Sequence, residues 1–195
     1  MDQLLLNIHP PAEKTLQNFV AGNNHECLEA LNNFVRSDNN QFIYLWGEKG
    51  SGKSHLSKAL STQGITIIED VDTFNDDRQI EIFYLFNQHR ASHTKMLLTG
   101  SNAPVHMGLR KDLSSRLSWG LVYQLKGLTD TEKMLALEHH AKEKGMSLNL
   151  NVLTYCMKHL KRDLPSLIST LDALDEWSLK TKRPISISLL KQLIG

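Results

Sequence analysis

Only two cysteines, Cys27 and Cys156, occur among the 195 residues, and they form no C-x-x-C pair. A disulfide framework is therefore not expected, and a reducing compartment fits. No apolar stretch approaches the ~18 residues that a membrane-crossing helix needs. The N-terminus has neither the basic start nor the apolar segment of a secretory signal. Net charge is scarce as well: 22 Lys and Arg oppose 21 Asp and Glu, leaving +1 at pH 7. No global basic field argues for nucleic acid. There is no internal repeat and no low-complexity tract. His139 and His140 stand mid-helix without the H-E-x-x-H spacing, so a metal site is not expected there. Lys142, Lys144, Lys158, Lys161 and Arg162 read as a solvated helical surface. The composition, 41% hydrophobic and 22% charged, suits one or two cytoplasmic globular domains with a real core.

The chain is organised around Gly47-Glu48-Lys49-Gly50-Ser51-Gly52-Lys53-Ser54, which satisfies G-x-x-x-x-G-K-[ST] at every fixed position. Phe42 to Trp46 before it is apolar and unbroken, as a buried parallel strand would be. Lys53 to Leu60 after it has Leu56 and Leu60 on one helical face. The glycines let the backbone approach phosphate oxygens. Successive N–H groups and the helix N-terminus then face the anion. Lys53 supplies a point charge to the phosphates, the Ser54 hydroxyl a ligand for Mg²⁺, and His55 continues the cradle. Nucleotide binding is the expected chemistry.

The remaining chain is read around this motif. Gln3, Leu6 and Ile8 have the spacing of a linear peptide that docks extended, and Pro10-Pro11 detaches them from the rest of the chain. Pro11 to Val20 reads as a short helix or turn. Asn23 is the expected N-cap of a helix over 25–35. Ile65 to Asp72 reads as a β-branched strand ending in carboxylates, of which Glu69 and Asp70 are candidates for holding Mg²⁺. Asp76 or Asp77 should cap a helix to about His89, with Ile80, Phe83 and Phe86 inward. Strands are expected over 95–99 and 121–125, and a helix over 109–117. From Thr129 the pattern is all helical. It begins with the capping box Thr129-x-x-Glu132 and a face of Met134, Leu135, Leu137 and Ala141. Helices over 150–160, from Asp163, and from Ser186 or Ser188 to Ile194 complete it. The expected fold is α/β: a P-loop AAA+ module with a shortened, about four-stranded parallel sheet, followed by a small all-α lid. The divisions are an N-terminal peptide over 1–10, an α/β nucleotide-binding part over 11–127 and a helical lid over 128–195.

Several stretches resemble the replication initiator DnaA and its relatives, over nearly the whole chain. Asp112 to Leu125 (DLSSRLSWGLVYQL) is similar to the box around their arginine finger, and Arg116 takes the finger's place. Leu98 to Pro104 (LTGSNAP) looks like their first sensor. Lys161 to Leu164 (KRDL) resembles the second, so Arg162 is implied to reach nucleotide phosphates. Phe19 to Asn24 (FVAGNN) stands at the adenine-pocket position, which implies base contacts for Phe19 and Val20. Within this family the Hda branch is the nearest likeness. The chain ends after the lid, where DnaA continues into a DNA-binding domain, so direct sequence-specific DNA binding is not expected. Gln3 to Ile8 resembles the Hda peptide that docks on the DNA polymerase sliding clamp. The resemblance implies ADP, or ATP, with Mg²⁺ admitted; partners in the sliding clamp and DnaA; and a finger acting in trans on DnaA's ATP. A homo-oligomer is compatible with it, and no membrane contact is implied.

The chain also departs from the family. Aligned on Ile68, Glu69 stands where the family has its Mg²⁺ Asp, and Asp70 stands where AAA+ ATPases have the catalytic Glu. A one-residue shift would instead make Asp70 the metal acid. Ser101 replaces the first sensor's Asp. These changes point to weak or no intrinsic ATPase, since small displacements of an attacking water cost ~10² in rate. Relatives carry a further strand and helix where only Ser61 to Gly64 intervene here, so the strand starting at Ile65 should become the sheet edge. The alternative reading is an autonomous ATPase or loader-type protein acting on another replication partner.

Overall fold

The computed structural model describes residues 13–194. Gln3, Leu6 and Ile8 lie outside the described residues. The chain divides into two compact units, meeting in sequence between Gly127 and Leu128.

In the first unit, four strands pair in parallel: β1 (Phe42–Trp46), β2 (Thr66–Ile68), β3 (Met96–Gly100) and β4 (Leu121–Gln124). Their order is β2-β3-β1-β4. The two central strands are buried on both faces, which explains why β1 and β3 read as continuous apolar runs. The helices are α1 (His25–Arg36), α2 (Lys53–Ser61), α3 (Asp76–Ser92) and α4 (Lys111–Leu117). Alternate β1 residues sort the layers. Ile43 and Leu45 pack with Leu31 and Phe34 of α1 and with Leu56 and Leu60 of α2. Phe42 and Tyr44 pack with Ile82 and Phe86 of α3 and with Leu113 and Leu117 of α4. The sheet is thus four-stranded and covered on both faces, with β2 at one edge and β4 at the other.

Local details differ from the sequence reading, each for an identifiable cause. The residue before α1 is Asn24, not Asn23, and its side chain makes no cap bond. Its amide instead donates to the carbonyls of Ala21 (2.9 Å) and Lys126 (2.8 Å) and accepts from Lys126 N–H (2.8 Å). A buried amide that satisfies a peptide group on both sides gains more than one cap bond would give. β2 stops at Ile68 because Asp70 takes φ +54° and residues Val71–Thr73 wind into a 3₁₀ turn. The α3 cap is Asn75, which accepts from Arg78 N–H at 3.0 Å. The buried face of α3 is Gln79, Ile82 and Phe86, while Ile80 and Phe83 are half-buried. Gln79 can be inside because its amide donates to Phe74 O and accepts from Arg110 N–H, both at 2.9 Å.

Gly120 brings the chain from α4 into β4 hard against β1. A β carbon there would lie 2.2 Å from Phe42 O and 2.7 Å from its carbonyl carbon. Backbone cannot yield as a side chain can. Gly120→Ala is therefore expected to destabilise by about 3 kcal/mol, read as a lowered denaturation midpoint with the slope unchanged.

The second unit is helical: α5 (Asp130–Glu143), α6 (Leu150–His159), α7 (Leu164–Thr181) and α8 (Ile187–Ile194). The capping box at Thr129 and Glu132 is formed in both directions. Asp163 caps α7 through Ser166 N–H, and Ser186 caps α8 through Leu189 N–H. Leu137, Val152, Leu153, Cys156, Leu167, Leu171, Leu174, Leu189 and Leu190 form the core. Leu135 is 60% exposed. Met134, Leu137 and Ala141 follow the i, i+3, i+7 stripe, and Leu135 falls beside it. Asp172 of α7 draws in His140 Nε2 (2.7 Å) and Lys144 Nζ (2.9 Å) from the end of α5. No described helix is long and apolar enough to cross a membrane. Among the described residues no group of three or more His, Cys, Asp or Glu could hold a metal ion.

Candidate nucleotide site and arginine face

β1 delivers the chain into the Gly47–Ser54 loop at the C-terminal edge of the parallel sheet, where open α/β sheets bind ligands. Gly47 N–H donates to Gly100 O at 3.3 Å, which ties the loop to β3. Gly50 and Gly52 hold φ +87° and +104°, conformations costly for any residue with a β carbon. A β carbon on Gly50 would meet nothing within 4 Å, so the loop is open there. A β carbon on Gly52 would meet the Phe19 ring at 2.6 Å. Lys53 folds back over the loop, its Nζ donating to Gly47 O (2.5 Å) and Glu48 O (3.1 Å). Glu48, Lys49 and Ser54 are exposed, and the Ser51 hydroxyl is buried with no partner. Open backbone, an ammonium group and an unpartnered hydroxyl at a helix N-terminus make a cradle for anionic oxygens.

Phe19 reaches this loop from the chain before α1, and Val20 beside it is half-buried. The Phe19 ring meets His55 edge-on, with centroids 5.3 Å apart, and His55 Nε2 lies 2.9 Å from Thr15 O. Burial pushes the His55 pKa down; the Thr15 bond opposes this and the Lys14 charge adds to it. Because a carbonyl oxygen can only accept, His55 Nε2 is the donor to Thr15 O. Gly47–His55 and Phe19 are thus brought together, while Val20 makes no contact with the loop that the structure shows among the described residues.

Glu69 and Asp70 lie at the end of β2, exposed, with β3 between them and the β1 loop. Asp70 N–H donates to the buried Thr99 Oγ1 at 3.1 Å. Two residues at this sheet edge escaped the sequence reading as site residues. Asp72 turns its carboxylate back to accept Ser101 N–H at 3.2 Å, and Thr99 anchors the acidic turn. Their only sequence signal was an acid two residues beyond Asp70 and a hydroxyl closing an apolar strand. Tyr44 donates to Asn102 O at 2.8 Å, and burial, with the Asp72 charge, pushes its phenol far up.

Arg116 stands in the last turn of α4. Its guanidinium lies 3.8 Å from the Trp119 ring centroid and 5.4 Å from that of Phe83, and its Nε is buried without a partner. Arg90 approaches the same indole at 4.7 Å. Nearby, Arg110 binds Asp112 (Nη2 to Oδ2, 3.0 Å) and holds that carboxyl below its usual range. Arg162, in the helical unit, is exposed and 3.5 Å from the Asp130 carboxylate.

A sequence model described as the lid domain of Hda matches residues 130–194. A Haemophilus influenzae protein, described only as uncharacterized, is 31% identical over 227 aligned positions, covering 99% of this chain and 98% of that protein. The alignment is longer than this chain, so that protein carries residues with no counterpart here. Domain III of the Thermotoga maritima replication initiation protein DnaA has a similar fold, with TM-score 0.75 and 17% identity over 95% of this chain and 98% of that one. DnaA from Aquifex aeolicus bound to AMPPCP gives TM-score 0.68 and 18% identity, over 91% of this chain and 69% of that one.

Proposed function

We propose that the chain, which matches the lid domain of Hda over residues 130–194, belongs to the Hda branch of DnaA-related AAA+ proteins and is a cytoplasmic, nucleotide-bound regulator of chromosome replication initiation. In this reading it binds the DNA polymerase sliding clamp through Gln3, Leu6 and Ile8. It then stimulates ATP hydrolysis by DnaA and so inactivates it. The observation that carries the reading is Arg116: a guanidinium at the end of α4 that pairs with no carboxylate among the described residues. Such a group has charge to place on a partner's phosphates. Its work is electrostatic, meeting negative charge that develops on the transferring phosphoryl group.

The chain's own nucleotide, ADP or ATP, has a structural part. Gly47 to His55 would hold its phosphates, and Phe19 and Val20 its base. Ser54, with Glu69 or Asp70, would take Mg²⁺. The bound nucleotide supplies fixed charge that steadies the loop. Lys53 binds the phosphates, and Phe19 shields the start of α2 from water. Lys53→Ala is expected to weaken ADP binding by ~100-fold in calorimetry, the scale of one charge-assisted contact.

The test of the whole reading is ATP turnover by DnaA with a DNA-loaded clamp. Addition of this chain is expected to accelerate turnover, and the Gln3→Ala/Leu6→Ala variant to lose the effect. No acceleration by the unaltered chain would remove the proposal. Steady ATP turnover by this chain alone would favour an autonomous ATPase.

A further inference from the structure

We infer that Trp119 is a positioning residue for this reaction, the shelf on which Arg116 is held and aimed. The inference rests on the reading of Arg116 as the group that acts on DnaA's nucleotide. Trp119 is 50% exposed, yet it is not idle surface. The Arg116 guanidinium lies over its ring at 3.8 Å, the closest cation–ring approach among the described residues. Phe83 closes the same group from α3 at 5.4 Å. Between them Nε is sealed from water and has no partner. Nη1 and Nη2 are neither sealed in this way nor hydrogen-bonded to any described residue. The guanidinium therefore presents one edge only, the fork of its two terminal nitrogens. That is the edge that binds two oxygens of one phosphate at once.

The shelf itself is braced. Phe86 meets the indole edge-on, with centroids 6.3 Å apart, and Arg90 lies 4.7 Å from the ring. Trp119 N–H donates to Arg116 O at 3.0 Å, so the turn that carries the shelf is closed on the residue it serves. A free arginine samples many rotamers and loses that freedom when it meets phosphate. One already laid on an aromatic face has lost it beforehand, and the gain appears in the rate rather than in partner affinity.

The experiment measures clamp-dependent DnaA turnover across a concentration series of this chain. Trp119→Ala is expected to lower the maximal rate roughly tenfold, with the half-maximal concentration within about twofold. Trp119→Phe, which keeps an aromatic face, is expected to restore most of the rate. Trp119→Leu keeps bulk without that face and is expected not to. Thermal unfolding and ADP binding of each variant report the fold, and if Trp119→Ala fails to fold, the Phe and Leu pair decides. A full maximal rate in Trp119→Ala, a Leu variant equal to the Phe variant, or a loss seen wholly as a raised half-maximal concentration would each overturn the shelf. Arg116→Ala runs alongside. If it loses stimulation while Trp119→Ala keeps it, the shelf is wrong and the functional reading stands; if Arg116→Ala is fully active, the functional reading itself fails.

Discussion

Arg116→Ala is expected to abolish the stimulation of DnaA's ATP hydrolysis, by roughly 10³–10⁵ in rate, the contribution of an arginine supplied in trans to a phosphoryl-transfer site. The loss should fall on turnover and leave this chain's fold and nucleotide binding nearly unchanged. Arg116 is outside the Gly47–Ser54 loop, and its guanidinium makes no ion pair with any described residue whose removal would strand a buried charge. Truncation does remove the guanidinium that lies against Trp119 and Phe83, so a small stability cost accompanies it. Lysine at this position should not rescue. An ammonium is a point charge without the flat face that rests on the indole or the fork that meets two oxygens. Single-turnover hydrolysis of DnaA-bound ATP, with clamp and chain saturating, makes the measurement. Unchanged turnover would overturn the assignment of Arg116 and, with it, the functional reading.

Phe86→Ala is expected to cost the first unit 3–5 kcal/mol, which corresponds to roughly 6–20 °C in its melting temperature. Phe86 is fully buried and stacks on Phe42 of the central strand with centroids 3.7 Å apart and rings 14° from parallel. Ile82, Leu113 and Leu117 close around it. Alanine leaves a cavity between the sheet and two helices that the backbone cannot collapse into without moving β1. The same ring braces Trp119, so the variant should also lose stimulation at temperatures where it remains folded. A loss below about 1 kcal/mol would mean that the site repacks, and that this face of the sheet is less fixed than its burial indicates.

The two functional regions were legible to different degrees, and the difference is one of sequence distance. The nucleotide loop was readable because its parts are contiguous. Gly47 to Ser54 carry the backbone conformations, the charge and the hydroxyl within eight residues, and the flanking strand and helix announce themselves by apolar pattern. Arg116 was found through resemblance to a family box, and no property of the residues around it marked it out. Its surroundings come from two places in the chain, Phe83 and Arg90 on α3 and Trp119 after α4, and no local pattern reports that packing. Asn24 makes the same point: an apparent helix cap was claimed by a peptide group 102 residues away. β2 was expected to run on to Asp72 because its β-branched residues continue that far. The left-handed turn at Asp70, held by a bond to Thr99, ended it sooner.

The β2 edge was read from resemblance to relatives with a longer sheet, while residue chemistry and periodicity were enough for the class of fold, the four parallel strands, the lid helices with most of their caps, and the place of the phosphate loop. These rest on interactions between near neighbours, which the order of residues specifies directly. The folded chain alone settled which carboxylate turns inward at the sheet edge, which face of α3 is buried, and how the Arg116 guanidinium is held. Each of those depends on side chains far apart in sequence competing for the same space and the same hydrogen-bond partners, and that competition has an outcome only once the layers have packed.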